Sequence, residues 1–158
     1  MPGRLFRRSV FRTAGSVVFV ASLIAAVHAA TPAETQKIRH EHYEELGKAF
    51  KAVRDQMSAS SPDFAALAKA AQVVHDASID QGQWFPKGTG PEAGKTRALS
   101  EIWSKPDDFV AAQKMFEDRA PKLLAAATAK DVGAVKAAFK DLGGACKNCH
   151  DNFRSPEE

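Results

Sequence analysis

The sequence predicts an all-α protein that folds as an antiparallel, up-down-up-down four-helix bundle. Apolar residues recur at three- and four-residue steps in four segments of the chain, which indicates amphipathic helices. No segment shows the strict alternation of polar and apolar residues that is typical of a strand. Two of the connections are short, so consecutive helices are expected to lie side by side and antiparallel. The chain of 158 residues is long enough for one such domain.

The first 29 residues predict a secretory signal peptide. An apolar stretch over residues 14–27 follows a basic start without acids, and Val27-His28-Ala29 offers small residues for cleavage. This stretch is short for a membrane span, so an uncleaved anchor is the less favoured alternative; a paired arginine also leaves the twin-arginine export route open. We expect a mature domain of residues 30–158 in the periplasm, without a stable membrane anchor after cleavage. The basic start contains Arg4, Arg7, Arg8 and Arg12.

The overall charge of +3 overstates how basic the mature chain is. Four of the 22 Lys and Arg residues, and none of the 19 acids, lie in the predicted signal peptide, so the mature chain is close to neutral. Nucleic-acid binding needs a clustered basic surface. We therefore expect no nucleic-acid partner.

The first helix is predicted from about Pro32 to Met57, and the second from Phe64 to about Gln81-Gly82. Pro32 suits a first helical turn, and Ser60-Ser61-Pro62-Asp63 ends one segment and starts the next. In the first helix, the apolar period assigns the inner stripe to Ile38, His42, Leu46, Phe50, Val53 and Met57. In the second, it assigns the stripe to Phe64, Leu67, Ala68, Ala71, Val74 and Ala77.

A connection rich in Gly and Pro is predicted from Gln83 to Ser104. Loops of this length are usually functional or disordered, and the aromatic residues in this one (Trp84, Phe85 and Trp103) favour a loop that packs against the bundle. Pro106 then opens the third helix, with acids suited to its first turn, and Pro121 predicts a kink or a break inside it. The inward residues of this helix are predicted to be Phe109, Ala112, Phe116, Leu123 and Ala127.

The fourth helix is predicted to begin at Asp131 and to carry the motif C-x-x-C-H near its end. The motif contains the only two cysteines of the chain, Cys146 and Cys149, followed directly by His150. In this pattern, two thiols bind a haem covalently and the histidine ligates its iron. On a helix, the three residues share one face. The cysteines also continue the apolar stripe, so the haem is expected inside the bundle. That stripe comprises Val132, Val135, Phe139, Leu142, Cys146, Cys149 and Phe153.

Other chemistries fit the two cysteines less well. A thioredoxin-like site would need a surrounding βαβ pattern, and a structural zinc site normally has four ligands at close spacing. A disulfide between positions i and i+3 is chemically feasible in an exported protein but would constrain almost none of the chain. The sequence therefore predicts one covalently attached haem c.

The antiparallel bundle also predicts which residues face His150 across the haem. The first and fourth helices run in opposite directions, so residues 36–46 of the first helix are expected opposite the end of the fourth. This window contains Arg39, His40, His42, Tyr43 and Leu46. Leu46 and Phe50, one and two turns beyond Tyr43, are predicted to border the haem.

These features resemble the class II c-type cytochromes, and specifically the cytochrome c′ family. The resemblance covers the whole mature region, and the position of the haem motif at the C-terminus is its distinguishing part. It is carried by Lys37-Ile38-Arg39, Gly88-Thr89-Gly90, Glu101-Ile102-Trp103, the approach from Phe139 through Leu142-Gly143 to Cys146, and Asp151-Asn152-Phe153-Arg154.

The resemblance implies a role for several residues around the haem. His150 would be the proximal iron ligand, and Tyr43 would cover the opposite face without binding the iron. Arg39 would bind a haem propionate through charge-assisted hydrogen bonds, and Arg154 would lie near the proximal face. The residue after the arginine is often glutamine in the family and is His40 here, which is a departure at the edge of the haem pocket.

The expected function is that of a periplasmic monohaem cytochrome. Such a protein would exchange electrons with redox partner proteins, or bind nitric oxide and carbon monoxide at a five-coordinate iron. Apart from the haem, no acid/base or nucleophile constellation indicates an enzyme. One alternative is a six-coordinate, low-spin electron carrier with a second protein ligand such as His42. Another is a peroxidase, for which His42 is again the visible candidate; Met57 and Met115 are read as packing residues. The sequence is compatible with a monomer and with a homodimer.

Overall fold

The computed structural model describes residues 30–156; the predicted signal peptide at residues 1–29 lies outside them. Its four long helices are α1 (Pro32–Ser58), α2 (Phe64–Asp80), α4 (Pro106–Thr128) and α5 (Val132–Phe153), and a one-turn helix, α3 (Glu101–Ser104), lies in the connection before α4. Among the described residues, extended pairing is limited to one isolated antiparallel bridge between Ala98 and Arg154. The prediction of an all-α four-helix bundle is therefore confirmed.

Each long helix starts at a residue that the sequence marks for this purpose. Thr31 and Glu34 form a capping box: the Glu34 amide donates to the Thr31 hydroxyl, and the Glu34 carboxylate accepts from the Thr31 amide at 2.7 Å. The Asp63 carboxylate caps α2, and the Asp131 carboxylate caps α5 by accepting from Ala134 N at 2.9 Å. The helix α4 instead begins with Pro106, whose missing N–H costs nothing at a first helical position.

The helices run alternately up and down. Two contacts show that α4 and α5 are antiparallel: Asn148 near the end of α5 donates to the Met115 sulfur, and Arg119, one turn later on α4, donates to the carbonyl of Asp141, which lies earlier on α5. The stacked rings of Phe50 and Phe139 pair the second half of α1 with the first half of α5. The helix α4 packs along both α2 and α5, whereas the backbones of α1 and α5 approach each other at few positions. The C-x-x-C-H motif lies at the end of the bundle where α1 begins.

The core divides into two parts along the bundle axis. The larger cluster extends from the end distant from the motif as far as Ala145, directly before Cys146, and is made of Leu, Val, Ala and Phe residues from all four long helices. The smaller cluster lies at the motif end. It contains Ile102, Phe109, Ala112 and Phe153, with Cys149 packed against it. The motif is therefore joined to the hydrophobic core of the bundle, as its position on the apolar stripe predicts.

Two local predictions are wrong. The apolar period places Ile38 on the inner stripe, but 44% of its surface is exposed, because the buried positions in the first turns of α1 are Gln36 and Arg39. Of the kink or break predicted at Pro121, the break does not occur, since α4 continues from Pro106 to Thr128 through this residue. Pro121 is exposed, so its ring takes no space in the core.

Leu123 on α4 is a central residue of the larger cluster, and its side chain has no exposed surface. We expect Leu123→Ala to lower the free energy of unfolding by about 2–5 kcal/mol, because the truncation leaves a cavity in a close-packed core. Urea denaturation of the haem-loaded protein measures this loss. Val110→Ala is the matched control on the same helix: Val110 is 59% exposed, so the change should be within about 0.5 kcal/mol. Equal losses in the two variants would contradict this assignment of the core.

Candidate haem site

The last helix presents two free thiols and an imidazole at one end of the bundle. Cys146 and Cys149 are both half-buried and are not bonded to each other, and they are separated by one helical turn. His150 follows Cys149 and is exposed at the edge of the group. The helix continues to Phe153, and the Arg154 amide closes its last turn by donating to the His150 carbonyl at 3.2 Å. All three motif residues are thus held on regular helix.

Both thiols of the motif are held in their protonated form. Burial raises the pKa of the Cys149 thiol to about 11, with a smaller contribution from Cys146. Burial also raises the pKa of Cys146. Both side chains are therefore protonated thiols at neutral pH.

The imidazole of His150 is favoured in its neutral form. Partial desolvation, reinforced by the positive charges of Arg154 and Arg97, lowers the pKa of His150, and Asp151 opposes this shift. A neutral imidazole has a nitrogen lone pair free to ligate a metal. Arg97 is itself fixed beside the end of α5, because its guanidinium donates to the Ser155 carbonyl at 2.7 Å.

The first helix presents Gln36, Arg39 and Tyr43 toward the same end of the bundle. Their spacing of three and four residues places them on one face of α1. Burial raises the pKa of Tyr43 well above its ordinary value; the Cys149 and Cys146 thiols add to this shift and Arg39 opposes it. Tyr43 is therefore a neutral phenol, close enough to both motif cysteines to interact with them electrostatically. The structure brings Tyr43 to the motif, as the antiparallel arrangement predicts.

Arg39 is buried against the connection of residues 81–105, with 4% of its surface exposed. Its guanidinium donates to the Trp84 carbonyl, to the Thr89 hydroxyl and carbonyl, and to the Thr96 hydroxyl at distances between 2.9 and 3.3 Å. It also lies over the Phe85 ring, 4.7 Å from the centroid. These partners are neutral, and within the described residues no carboxylate pairs with Arg39. A buried cation is thus held among oxygen atoms and aromatic faces.

The connection is fastened to both helices that flank the motif. Gln36 donates to the Gly90 carbonyl at 2.7 Å, which joins α1 to the connection beside Arg39. At its other end, the Leu99 amide donates to the Phe153 carbonyl and the Ser155 amide to the Arg97 carbonyl. The predicted packing of this segment against the bundle is confirmed, and it joins the start of α1 to the end of α5.

Aromatic rings from the connection surround Tyr43. Trp84 contacts Tyr43 edge-on, with centroids 5.1 Å apart and planes at 89°, and Phe85 lies 6.1 Å from Tyr43. Phe85 also packs against Phe109 of the smaller core cluster, with ring centroids 4.9 Å apart. The His42 ring stacks on Trp84 at 4.7 Å, with 15° between the planes. The imidazole of His42 is therefore engaged by the indole.

The other predicted pocket residues are His40, Leu46, Phe50 and Arg154, and they lie in three different places. His40 is exposed on the outer face of α1, where its Nε2 lies 3.5 Å from a Glu44 carboxylate oxygen, so the structure does not bring His40 to the motif. Leu46 and Phe50 pack against the larger core cluster, and Phe50 stacks on Phe139 with centroids 4.1 Å apart. Arg154 is beside the motif, where its charge acts on both His150 and Tyr43.

Sequence reasoning missed several residues that build this end of the bundle. Gln36 and Thr89 were not singled out as site residues, and Trp84 and Phe85 were expected to pack without an assigned position. The available signal was the stripe of Gln36, Arg39 and Tyr43 at helical spacing. The apolar period instead selected Ile38 and His42, one residue away.

The comparison with known proteins identifies the family. The family model described as cytochrome C′ matches residues 34–154. The chain belongs to the cytochrome c′ family. A cytochrome c′ from Pararhodospirillum photometricum is 39% identical over 122 residues, which is 72% of this chain and 97% of that protein. The chain spans about half the length of some of the other curated relatives that it matches.

Solved structures of cytochrome c′ have the same fold. A carbon monoxide-bound variant from Alcaligenes xylosoxidans has a TM-score of 0.72 and 31% identity, covering 82% of this chain and 100% of that one. A cytochrome c′ described by its ligand-controlled dimer dissociation has a TM-score of 0.76 and 26% identity, covering 82% of this chain and 100% of that one. Cytochrome c′ proteins carry covalently bound haem c with its iron. Within the part of the chain that the structure describes, no helix is long and apolar enough to cross a membrane.

The residues at the end of α5 fit a haem c group. Two protonated thiols lie one turn apart, a neutral imidazole follows, and all three are half-buried or at the edge of an aromatic core. A buried arginine without a carboxylate partner among the described residues lies on the facing helix. These are the groups that a porphyrin with two reactive vinyl groups, one iron and two carboxylates requires.

Proposed function

We propose that Cys146 and Cys149 hold the haem through thioether bonds, that His150 ligates its iron, and that Tyr43 covers the opposite face without ligating it. The haem supplies a redox-active iron that can exchange an electron or bind a small diatomic ligand. The observation that carries the proposal is the position of Tyr43: it lies near both motif thiols, on the helix that faces them, as a neutral phenol. Its rise in pKa disfavours the phenolate, the form of tyrosine that ligates iron most strongly.

The surroundings of the other candidate ligands favour a five-coordinate iron. The Met115 sulfur accepts a hydrogen bond from Asn148 at 3.5 Å, and Met57 packs against the larger core cluster at the distant end of the bundle. His42 stacks face-to-face on Trp84, so it would have to leave this contact to reach the iron. The low-spin alternative with His42 as a ligand is therefore less favoured.

Arg39 is the proposed partner of a haem propionate. Burial lowers the pKa of Arg39, yet a guanidinium stays charged in proteins, so the chain holds a largely desolvated cation that its neutral partners only solvate. A nearby carboxylate would compensate this charge and shorten the hydrogen bonds that it accepts. Arg154 and Arg97 supply further positive charge beside His150.

We infer that the protein works in the periplasm, after removal of residues 1–29, as an electron carrier, a binder of nitric oxide and carbon monoxide, or both, rather than as an enzyme with turnover. Solved variants of the Alcaligenes xylosoxidans protein contain carbon monoxide and nitric oxide, which supports gas binding by the iron of this protein. Redox partner proteins are the expected electron donors and acceptors. A homodimer is supported by the cytochrome c′ with ligand-controlled dimer dissociation.

Replacing Tyr43 with alanine tests this assignment. We expect Tyr43→Ala to speed carbon monoxide association with the ferrous protein by at least about tenfold, since removal of the ring takes away a steric barrier of about 1.4 kcal/mol or more. Stopped-flow mixing or flash photolysis measures the rate. Tyr43→Phe is the matched control: it keeps the ring and should keep a rate close to that of the natural protein. An unchanged rate in Tyr43→Ala would place the barrier elsewhere, with Leu46 and Phe50 next to be tested.

A further inference from the structure

The indole of Trp84 is in contact with two rings of α1. The indole of Trp84 stacks on the His42 ring, with centroids 4.7 Å apart and 15° between the planes. The Tyr43 ring meets the indole at 89°, with centroids 5.1 Å apart. His42 and Tyr43 are neighbours in sequence and point in different directions from the helix. Trp84 therefore occupies the corner between them and closes one flank of Tyr43.

The backbone of Trp84 is fixed independently of its side chain. Trp84 ends the short 3-10 turn Gln81–Trp84, and its carbonyl accepts from the Arg39 guanidinium at 3.3 Å. Among the described residues, the ring contacts of the indole are those with His42 and Tyr43. Since Tyr43 touches Trp84 edge-on, the broad stacking surface that sets the plane of the indole is the imidazole of His42.

We propose that His42 is a positioning residue for ligand entry: its ring holds Trp84 in the plane that packs against Tyr43 and keeps the distal face covered. The inference rests on the proposed role of Tyr43 as that cover. Without the imidazole, the indole can rotate away from Tyr43, and the phenol loses the neighbour that confines it on this side. His42 acts through Trp84 and makes no contact with the iron or with the entering ligand.

The neighbouring histidine provides a matched control. His40 lies two residues earlier on α1, and its side chain is 74% exposed and pairs with Glu44. It has no ring contact with Trp84 or Tyr43 among the described residues. His40→Ala therefore removes an imidazole from the same helix without touching the stack.

The experiment compares three single variants in the haem-loaded protein: His42→Ala, His42→Phe and His40→Ala. We expect His42→Ala to raise the rate of carbon monoxide association with the ferrous protein by about two- to tenfold, the range that the loss of one aromatic pair produces. His42→Phe keeps a flat stacking ring and should restore the natural rate, and His40→Ala should not change it. The mobility of the Trp84 indole N–H, measured by NMR relaxation in the carbon monoxide complex, supplies a second readout, and it should rise in His42→Ala alone.

A double-variant cycle tests whether His42 acts through Trp84. In a Trp84→Ala background, His42→Ala should add no further acceleration, because the ring that it positions is absent. An unchanged carbon monoxide rate in His42→Ala, or equal acceleration in the two backgrounds, would overturn the inference. If the natural ferrous protein is already six-coordinate and binds no carbon monoxide, the proposed function fails instead, which separates the two outcomes.

Discussion

Replacing both Cys146 and Cys149 with serine is expected to abolish covalent haem attachment. The chain has no other thiols, and a serine hydroxyl does not replace a thiol in adding to a vinyl group. Each single variant should keep one thioether bond and retain haem more weakly. Extraction with acidified acetone measures this directly: it removes haem from the double variant and leaves it on the natural protein.

Lys147→Ser is the control for this experiment. Lys147 lies between the two cysteines, is exposed, and pairs with Asp151 one turn later, so its replacement changes the motif without removing a thiol. We expect full covalent retention in this variant. Haem that stays with the double-serine protein after extraction would contradict the assignment of the attachment site.

Removing the haem is expected to leave a chain that is helical but poorly packed. The backbones of α1 and α5 approach each other at few positions, and the core at the motif end is a small aromatic cluster. Truncating one large buried side chain costs about 2–5 kcal/mol. A haem is several times larger, so the loss is comparable to the whole stability of a domain, about 5–15 kcal/mol.

Circular dichroism checks this expectation on chain from which the haem has been cleaved chemically. We expect the far-ultraviolet signal of the helices to persist in part, the near-ultraviolet signal of the aromatic rings to be lost, and thermal unfolding to be broad. The larger cluster around Leu123 and Leu142 accounts for the residual helix. A sharp cooperative melt with a native-like near-ultraviolet spectrum would show that the haem is not part of the core.

The helices and the attachment motif were predictable because their signals are local. Pro32, Asp63, Pro106 and Asp131 mark helix starts within one or two residues, and the spacing within the motif places Cys146 and Cys149 on one face of any helix. The antiparallel order of a bundle then predicts that residues 36–46, which include Tyr43, lie opposite the motif. Each of these inferences needs only short-range sequence and one rule of topology.

The surroundings of the site were not predictable in this way, because they depend on partners about 50 residues apart in sequence. Gln36 and Arg39 are buried since carbonyl and hydroxyl oxygens of the connection, including those of Thr89, accept their hydrogen bonds. A search for apolar residues at helical spacing treats such polar side chains as solvent-facing. It therefore selected Ile38, which is 44% exposed.

The absorption spectrum of the purified protein, recorded in the ferric and ferrous states, tests the central claim most directly. With His150 as the sole protein ligand and Tyr43 covering the other face, we expect five-coordinate, high-spin spectra in both states and conversion of the ferrous spectrum when carbon monoxide is added. Low-spin, six-coordinate spectra in both states before any ligand is added would contradict the account, because a second side chain would then occupy the face assigned to Tyr43.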